Sequence, residues 1–235
     1  MNALKNDMKL YHYTKKSSFE KIWDKKTLKF SDTQRTNDIF ERSKLVNVSS
    51  YTPGFIDKSG KSIFMNLFYK ILFNYRQISL SMDYDGLKGC LSPMMWGHYG
   101  NNANGVCIEL DSKRLIMPED AIWYNKVEYL ESVPFIDFGN KHFNNNDEIK
   151  SFIESNIDDF FFKKHIHWKA ENEYRIISNM HNYLSIENAI TAIYITDVKG
   201  HTFQSVKRLV QNEVPIFRIF QSILGGHNHL SFYKL

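Results

Sequence analysis

Short segments of strand length recur along the whole chain, and helical segments lie between them in no regular order. Leu10–Thr14, Gln77–Met82, Gly105–Asp111 and Glu173–Ser178 each have the apolar content or the alternation of a buried strand. We find no internal repeat, low-complexity tract or linker that would divide the sequence. The pattern predicts one α+β domain over residues 1–235.

Two segments have clear helical signals. From Asp147 to about His165, apolar residues recur every three or four positions and predict one long helix with a single buried stripe. Ser92 is placed to cap a short helix that has Pro93 in its first position and includes Trp96.

Composition excludes several classes of protein. The chain has 235 residues, 15% aromatic residues, 5 prolines and 11 glycines, which excludes collagen-like and disordered chains. The net charge of +4 is too small to indicate a nucleic-acid partner. Two cysteines, Cys90 and Cys107, favour a reducing compartment, and without an apolar segment of about 20 residues we expect a cytoplasmic protein with no membrane partner. The spacing of Cys90, His98 and Cys107 does not fit a zinc site, so no metal is expected.

The run Glu171-Asn-Glu-Tyr-Arg175 is the first candidate site. Side chains two positions apart on a strand share a face, so Glu171, Glu173 and Arg175 are predicted to project together. Neighbouring carboxylates raise each other's pKa unless a cation or hydrogen bonds offset the repulsion, and such a pair suits the stabilisation of positive charge. An exposed charged strand face is the alternative interpretation.

Other polar residues on predicted strands and turns form a second group. His12 lies between Tyr11 and Tyr13, where a hydrogen-bonded core histidine would be an ordinary explanation. Ser79 and Ser81 share a strand face. The glycine-flanked turn with Trp96, His98 and Tyr99 suits either core packing or stacking on a ligand ring.

The order of these segments resembles the bacterial family known as domain of unknown function 2971. The resemblance covers roughly residues 10–197, and Ile39 stands where the family usually has proline. The roles of Asn37, Asp38 and Glu41 stay open. The segments that carry it are Leu10-Tyr-His-Tyr-Thr14, Asn37-Asp-Ile-Phe-Glu41, Ser79-Leu-Ser81, Met95-Trp-Gly-His-Tyr99, Gly105-Val-Cys-Ile-Glu109 and Trp168-Lys-Ala-Glu-Asn-Glu-Tyr-Arg175.

The same order is similar to the ADP-ribosyltransferase superfamily, through His-Tyr-Thr, Ser-x-Ser and Glu-x-Glu motifs. That resemblance implies a split β-core of two packed sheets with helices around it, which binds NAD as substrate without a metal. It assigns the contact with the departing nicotinamide's ribose to Glu173 with Glu171, as catalytic residues. The cofactor-binding residues that it suggests, with their neighbours in the motifs, are His12, Tyr13, Ser79, Ser81, Trp96, His98, Tyr99 and Arg175.

Three functions remain open at this point. The first is an NAD-consuming transferase or glycohydrolase, of a defence or toxin type, that acts on an unidentified acceptor. The second is a non-catalytic domain that senses a ligand or binds a partner. The third is a nucleic-acid-associated protein, which only the excess of basic residues among the first 100 favours. For the first, we expect His12, Glu171, Glu173 and Arg175 to share one cleft, with His12 and Glu173 on the same side of the sheet.

Overall fold

The computed structural model describes residues 2–3, 7–43, 46–47, 63–132, 136–137, 143, 145–196, 201–224 and 227–235. Helices and strands both contribute substantially, which confirms the α+β prediction. The helices are α1 (Lys16–Lys25), α2 (Ile39–Ser43), α3 (Ile63–Leu72), α4 (Pro93–His98), α5 (Asn146–Ser155), α6 (Ile157–Phe161) and α7 (His201–Val210). The strands are β1 (Asn2–Ala3), β2 (Lys9–Thr14), β3 (Thr27–Lys29), β4 (Ser31–Asp32), β5 (Val46–Asn47), β6 (Arg76–Met82), β7 (Val106–Asp111), β8 (Ile116–Met117), β9 (Ile122–Lys126), β10 (Glu128–Leu130), β11 (Ile136–Asp137), β12 (Lys163–His165), β13 (Glu173–Ser178), β14 (Tyr183–Ser185), β15 (Ile190–Ile195), β16 (Ile216–Leu224) and β17 (His227–Lys234).

A nine-stranded sheet organises the described part of the chain. Its order is β17-β16-β15-β7-β2-β6-β13-β9, and β4 pairs with β6 beside this path. Neighbouring strands are antiparallel except β15 and β16, which are parallel and are connected through α7. A helical crossover of this kind is what a parallel pair requires.

The sheet has a seam between β2 and β6. These two strands pair only through Leu10 with Met82 and Tyr11 with Ser81, whereas β2 pairs with β7 along all six of its residues. The strands separate beyond Tyr11. The split core that the resemblance implied therefore takes a different form, because the two groups of strands are joined at this seam into one sheet instead of lying as two separate sheets.

The two faces of the sheet carry separate apolar clusters. On one face, Leu10, Ile108 and Ile176 pack with residues of α1 and α7, and Trp23 Nε1 donates a hydrogen bond to the Leu209 carbonyl at 3.0 Å. On the other face, one cluster includes Tyr11, Tyr13, Trp96 and Cys107, and a second includes Ile177 and the apolar sides of α3, α5 and α6. Both faces are thus covered, and polar residues of inner strands such as Ser81, Glu109 and Arg175 are buried with them.

The predicted long helix from Asp147 to His165 is wrong in its extent. It divides into α5 and α6, and Lys163–His165 forms strand β12 beside β10. Asn156 lies at the break, where its side-chain amide donates to the Phe152 carbonyl at 2.8 Å and competes with the helical backbone. The apolar stripe is nevertheless buried, since Ile149, Phe152, Ile153, Phe160 and Phe161 are all core residues.

The short helix α4 forms as its cap signal predicts. Ser92 is the cap residue, and its Oγ accepts a hydrogen bond from the Met95 amide at 3.3 Å, with Pro93 in the first turn. Among the described residues, no helix has both the length and the apolar character needed to span a membrane.

Candidate functional site

A cavity of about 230 Å³ opens at the seam between β2 and β6. It lies where the strands stop pairing, so backbone and side chains of both strands reach its wall. The residues of the predicted site that line it are His12, Tyr13, Ser79, Ser81, Tyr99, Glu171 and Glu173.

His12 reaches the cavity from the opposite face of the sheet to Glu173. Glu173 and Tyr11 both pair with Ser81, which places these three residues on one face, whereas His12 follows Tyr11 and alternates to the other. The expectation that His12 and Glu173 lie on the same side of the sheet is therefore wrong. They line one cavity nevertheless, because the sheet opens at the seam.

Glu173 is held by two cations. Arg175 Nε lies 2.6 Å from Glu173 Oε1, and Arg175 Nη2 lies 2.7 Å from Oε2, while Lys164 Nζ lies 3.5 Å from Oε2. Burial opposes ionisation of this carboxyl, but the guanidinium of Arg175 and the ammonium of Lys164 outweigh it and lower the pKa of Glu173 to about 2. The sequence left open whether a cation offsets the repulsion between the carboxylates. Two cations do so, and Glu173 is ionised at neutral pH.

Glu171 does not extend strand β13, contrary to the sequence prediction. It ends a 3₁₀ segment, Ile166–Glu171, and Asn172 then adopts the left-handed conformation with φ of 42° before the strand begins. The side chain still joins the site: Glu171 Oε2 lies 2.5 Å from Lys164 Nζ, and Oε1 accepts a hydrogen bond from the Tyr99 hydroxyl at 2.6 Å.

Lys164 lies at the centre of the carboxylate cluster, and the sequence did not reveal it. Its Nζ contacts Glu171 and Glu173 and lies 4.0 Å from Glu41 Oε1, and its side chain is 5% exposed. Burial lowers the pKa of this amine, but the carboxylates of Glu173 and Glu41 raise it by more, so the ammonium form is favoured. Lys164 was missed because the predicted long helix included it. Its actual place on β12 depends on the break at Asn156.

Arg175 lies behind the cavity wall instead of on it. It is fully buried, donates to the Phe161 carbonyl at 2.7 Å, and forms an ion pair with Glu41 through Nη2. Burial lowers the pKa of the guanidinium, and Glu173 and Glu41 raise it by more, so its pKa lies well above the usual value. Arg175 therefore neutralises carboxylates of the site and is placed to hold them, not to contact a ligand.

Two more of the predicted ligand-binding residues lie outside the cavity wall. Trp96 is 2% exposed, and its Nε1 donates to the Cys90 carbonyl at 2.8 Å, while its ring packs edge-on against Tyr13. It is a core residue and is too enclosed to stack on a ligand. His98 is exposed at the end of α4 and does not line the cavity.

The remaining polar residues differ in how they meet the cavity. Ser79 is exposed to it, whereas Ser81 is buried and donates through Oγ to the Glu171 carbonyl at 2.9 Å. The Tyr129 hydroxyl, which the sequence did not single out, accepts a hydrogen bond from the Glu173 amide at 2.9 Å. His12 is half-buried, and burial lowers the pKa of its imidazole to about 4 although the Ser79 backbone hydrogen bond acts in the other direction.

The charges of the cavity are unequally distributed. At its floor, the carboxylates of Glu41, Glu171 and Glu173 meet two cations, Lys164 and Arg175, so one negative charge is left over. At its rim, Lys29 and Arg35 are exposed, and Asp32 lies 3.9 Å from Arg35. Among the described residues, no group of three or more His, Cys, Asp or Glu side chains is arranged to hold a metal ion.

Comparison with known proteins finds a similarity to one family over about a third of the chain. The model of the family described as protein of unknown function (DUF2971) matches residues 95–176, which confirms the resemblance found in the sequence over that range. The matched range includes Tyr99, Lys164, Glu171 and Glu173 of the cavity and Arg175 behind its wall. Searches among curated proteins and among solved structures give no significant match. The family description names no activity, so function has to be argued from the site.

Proposed function

We propose that the cavity binds a nucleotide of the NAD type and that the chain breaks its bond to nicotinamide, as a transferase or a glycohydrolase. The observation that carries the proposal is the surplus negative charge at the cavity floor, beside the paired carboxylates Glu171 and Glu173. The nicotinamide ring of NAD is cationic, and rupture of its glycosidic bond moves positive charge to the ribose. A fixed, buried negative charge stabilises both.

The size and charge of the cavity indicate how such a ligand would lie. A volume of about 230 Å³ is below the roughly 300–1,000 Å³ of sites that enclose a whole drug-sized ligand. It suits one ring and its ribose. The pyrophosphate and adenosine would then extend across the rim, where the exposed cations Lys29 and Arg35 can pair with phosphate.

In the proposed reaction, the bond between nicotinamide and C1′ of the ribose breaks, and nicotinamide leaves with the bonding electrons. Water or an acceptor then bonds to C1′ and loses a proton. Glu173, with its pKa lowered to about 2, is a poor proton acceptor and serves to stabilise positive charge. The proton is assigned to Glu171, which among the described residues has Lys164 and Tyr99 as partners but no guanidinium.

The test is to incubate the purified chain with NAD and to measure nicotinamide release. We expect release by the wild-type chain and a loss of at least about 100-fold in Glu173→Gln, since one preorganised charge contributes roughly that much to catalysis. Glu213→Gln is the matched control, because Glu213 is an exposed carboxylate paired with Lys26. Circular dichroism should show that both variants are folded.

A binding site without chemistry is the second candidate. It is favoured by the ion pairing of Glu173, whose two oxygens both contact Arg175 and leave little capacity for a reacting group. Calorimetric titration with ADP-ribose separates the two functions. Binding of ADP-ribose without nicotinamide release from NAD would support a binding site without chemistry instead of an enzyme. Absence of both binding and release would overturn the proposal of a nucleotide site.

A further inference from the structure

The segment Asn37–Glu41 has no role in the function proposed so far, although the sequence singled it out. Its first two residues serve to position others. Asn37 Nδ2 donates to the Tyr99 hydroxyl at 3.3 Å, and Asp38 Oδ1 accepts the Phe40 amide at 2.8 Å, which fixes the first turn of α2. That turn carries Glu41 to the cavity wall.

The two oxygens of Glu41 have different surroundings. Oε1 forms the ion pair with Arg175 Nη2 and faces Lys164 Nζ at 4.0 Å. Oε2 is buried and has no hydrogen-bond partner within the described part of the chain, and the residue as a whole is 6% exposed. A buried acceptor without a donor is unfavourable, and in a residue that lines a polar cavity it indicates a donor that the chain does not itself supply.

We propose that Glu41 is a ligand-binding residue whose Oε2 accepts a hydrogen bond from a ribose hydroxyl of the bound nucleotide. This inference rests on the proposed function. An ionised carboxylate only accepts hydrogen bonds, and carboxylates recognise ribose hydroxyls in other nucleotide sites. The ribose next to nicotinamide is the part of the ligand that the cavity can enclose, and Arg175 fixes the carboxylate before the ligand arrives.

The experiment is a thermodynamic cycle between ligand and protein. Isothermal titration compares ADP-ribose with analogues that lack the 2′- or the 3′-hydroxyl of the ribose distal to adenine. In the wild-type chain, loss of one of these hydroxyls should weaken binding about 10- to 100-fold, the usual effect of an unpaired buried acceptor. Glu41→Gln should bind ADP-ribose more weakly by a similar factor and lose little more with the analogue. Glu213→Gln, a remote carboxylate, should match the wild-type chain.

The outcomes are distinguishable. If ADP-ribose does not bind the wild-type chain, the nucleotide site fails, and the role of Glu41 fails with it. If ADP-ribose binds and each hydroxyl contributes equally in wild type and Glu41→Gln, only the role of Glu41 is overturned. Should Glu41→Gln not fold, the wild-type titrations still decide, because equal affinity for ADP-ribose and both analogues contradicts the inference.

Discussion

Arg175 donates through Nη2 to Oε1 of Glu41, a residue that lies 134 positions earlier in the chain. The same guanidinium holds both oxygens of Glu173, so one buried cation joins the helix α2 to the inner strand β13. The site and the fold therefore depend on the same contact.

Replacement of Arg175 by methionine should destabilise the chain by about 3–5 kcal/mol, because it leaves the carboxylates of Glu41 and Glu173 buried without their cation. Urea denaturation measures the free energy of unfolding. Arg114→Met provides the control, since Arg114 is 62% exposed and lies 3.9 Å from Asp111. A loss in Arg175→Met as small as that in the control would show that the buried ion pairs contribute little.

His12 should make stability depend on pH between about 6.5 and 4. Burial lowers the pKa of its imidazole from 6.5 to about 4, so in this window the unfolded chain binds a proton that the folded chain does not. The free energy of unfolding therefore has its full value, as far as His12 is concerned, above pH 6.5. It falls by up to about 3 kcal/mol as pH decreases towards 4.

The measurement for His12 is the free energy of unfolding at half-unit pH steps, for wild type and His12→Gln. The variant should have a flatter profile between pH 6.5 and 4. Below that window it should resemble wild type in shape, because Glu173, whose pKa falls from 4.5 to about 2 on folding, contributes equally in both chains. Parallel profiles throughout would mean that His12 titrates normally in the folded chain.

The sequence predicted the strands better than their relation in space. Leu10–Thr14 and Glu173–Ser178 form strands with the expected alternation, because a buried strand has a local apolar signature. That His12 and Glu173 line one cavity from opposite faces depends on the seam between β2 and β6, and the register between distant strands leaves no mark in either segment. The alternation of polar residues therefore predicted that His12 and Glu173 belong to the site, but it did not predict that they reach it from opposite faces of the sheet.

Lys164 illustrates a second limit of the sequence. Its neighbourhood continues an apolar helical period, although the helix breaks at Asn156, where the side-chain amide donates to the Phe152 carbonyl. A buried lysine is also rare, so residue type gave no reason to place Lys164 in a site. Its contacts with Glu41, Glu171 and Glu173 arise only when three separate segments come together.

Phe161→Ala should cost about 3–5 kcal/mol of stability, the usual range for a fully buried phenylalanine. Phe161 is 0% exposed, and its ring stacks on Tyr75 at a centroid distance of 5.4 Å. Its carbonyl also accepts from Arg175, but this backbone contact is retained in the variant. Phe220→Ala is the control, because Phe220 is 39% exposed on the C-terminal hairpin. A loss below about 1 kcal/mol would contradict the core assignment.

Residues 1–235 should unfold as one cooperative unit, as the absence of a linker in the sequence predicts. The strand order gives the physical reason: β2, near the start of the chain, pairs with β7 on one side and contacts β6 on the other, and α1 is joined to α7 by the bond from Trp23 to Leu209. Neither half can therefore complete its sheet alone. Limited proteolysis followed by denaturation of each fragment provides the measurement. Fragments from a cut near the middle of the chain should lose structure, and two separately stable halves would show that the chain consists of two domains.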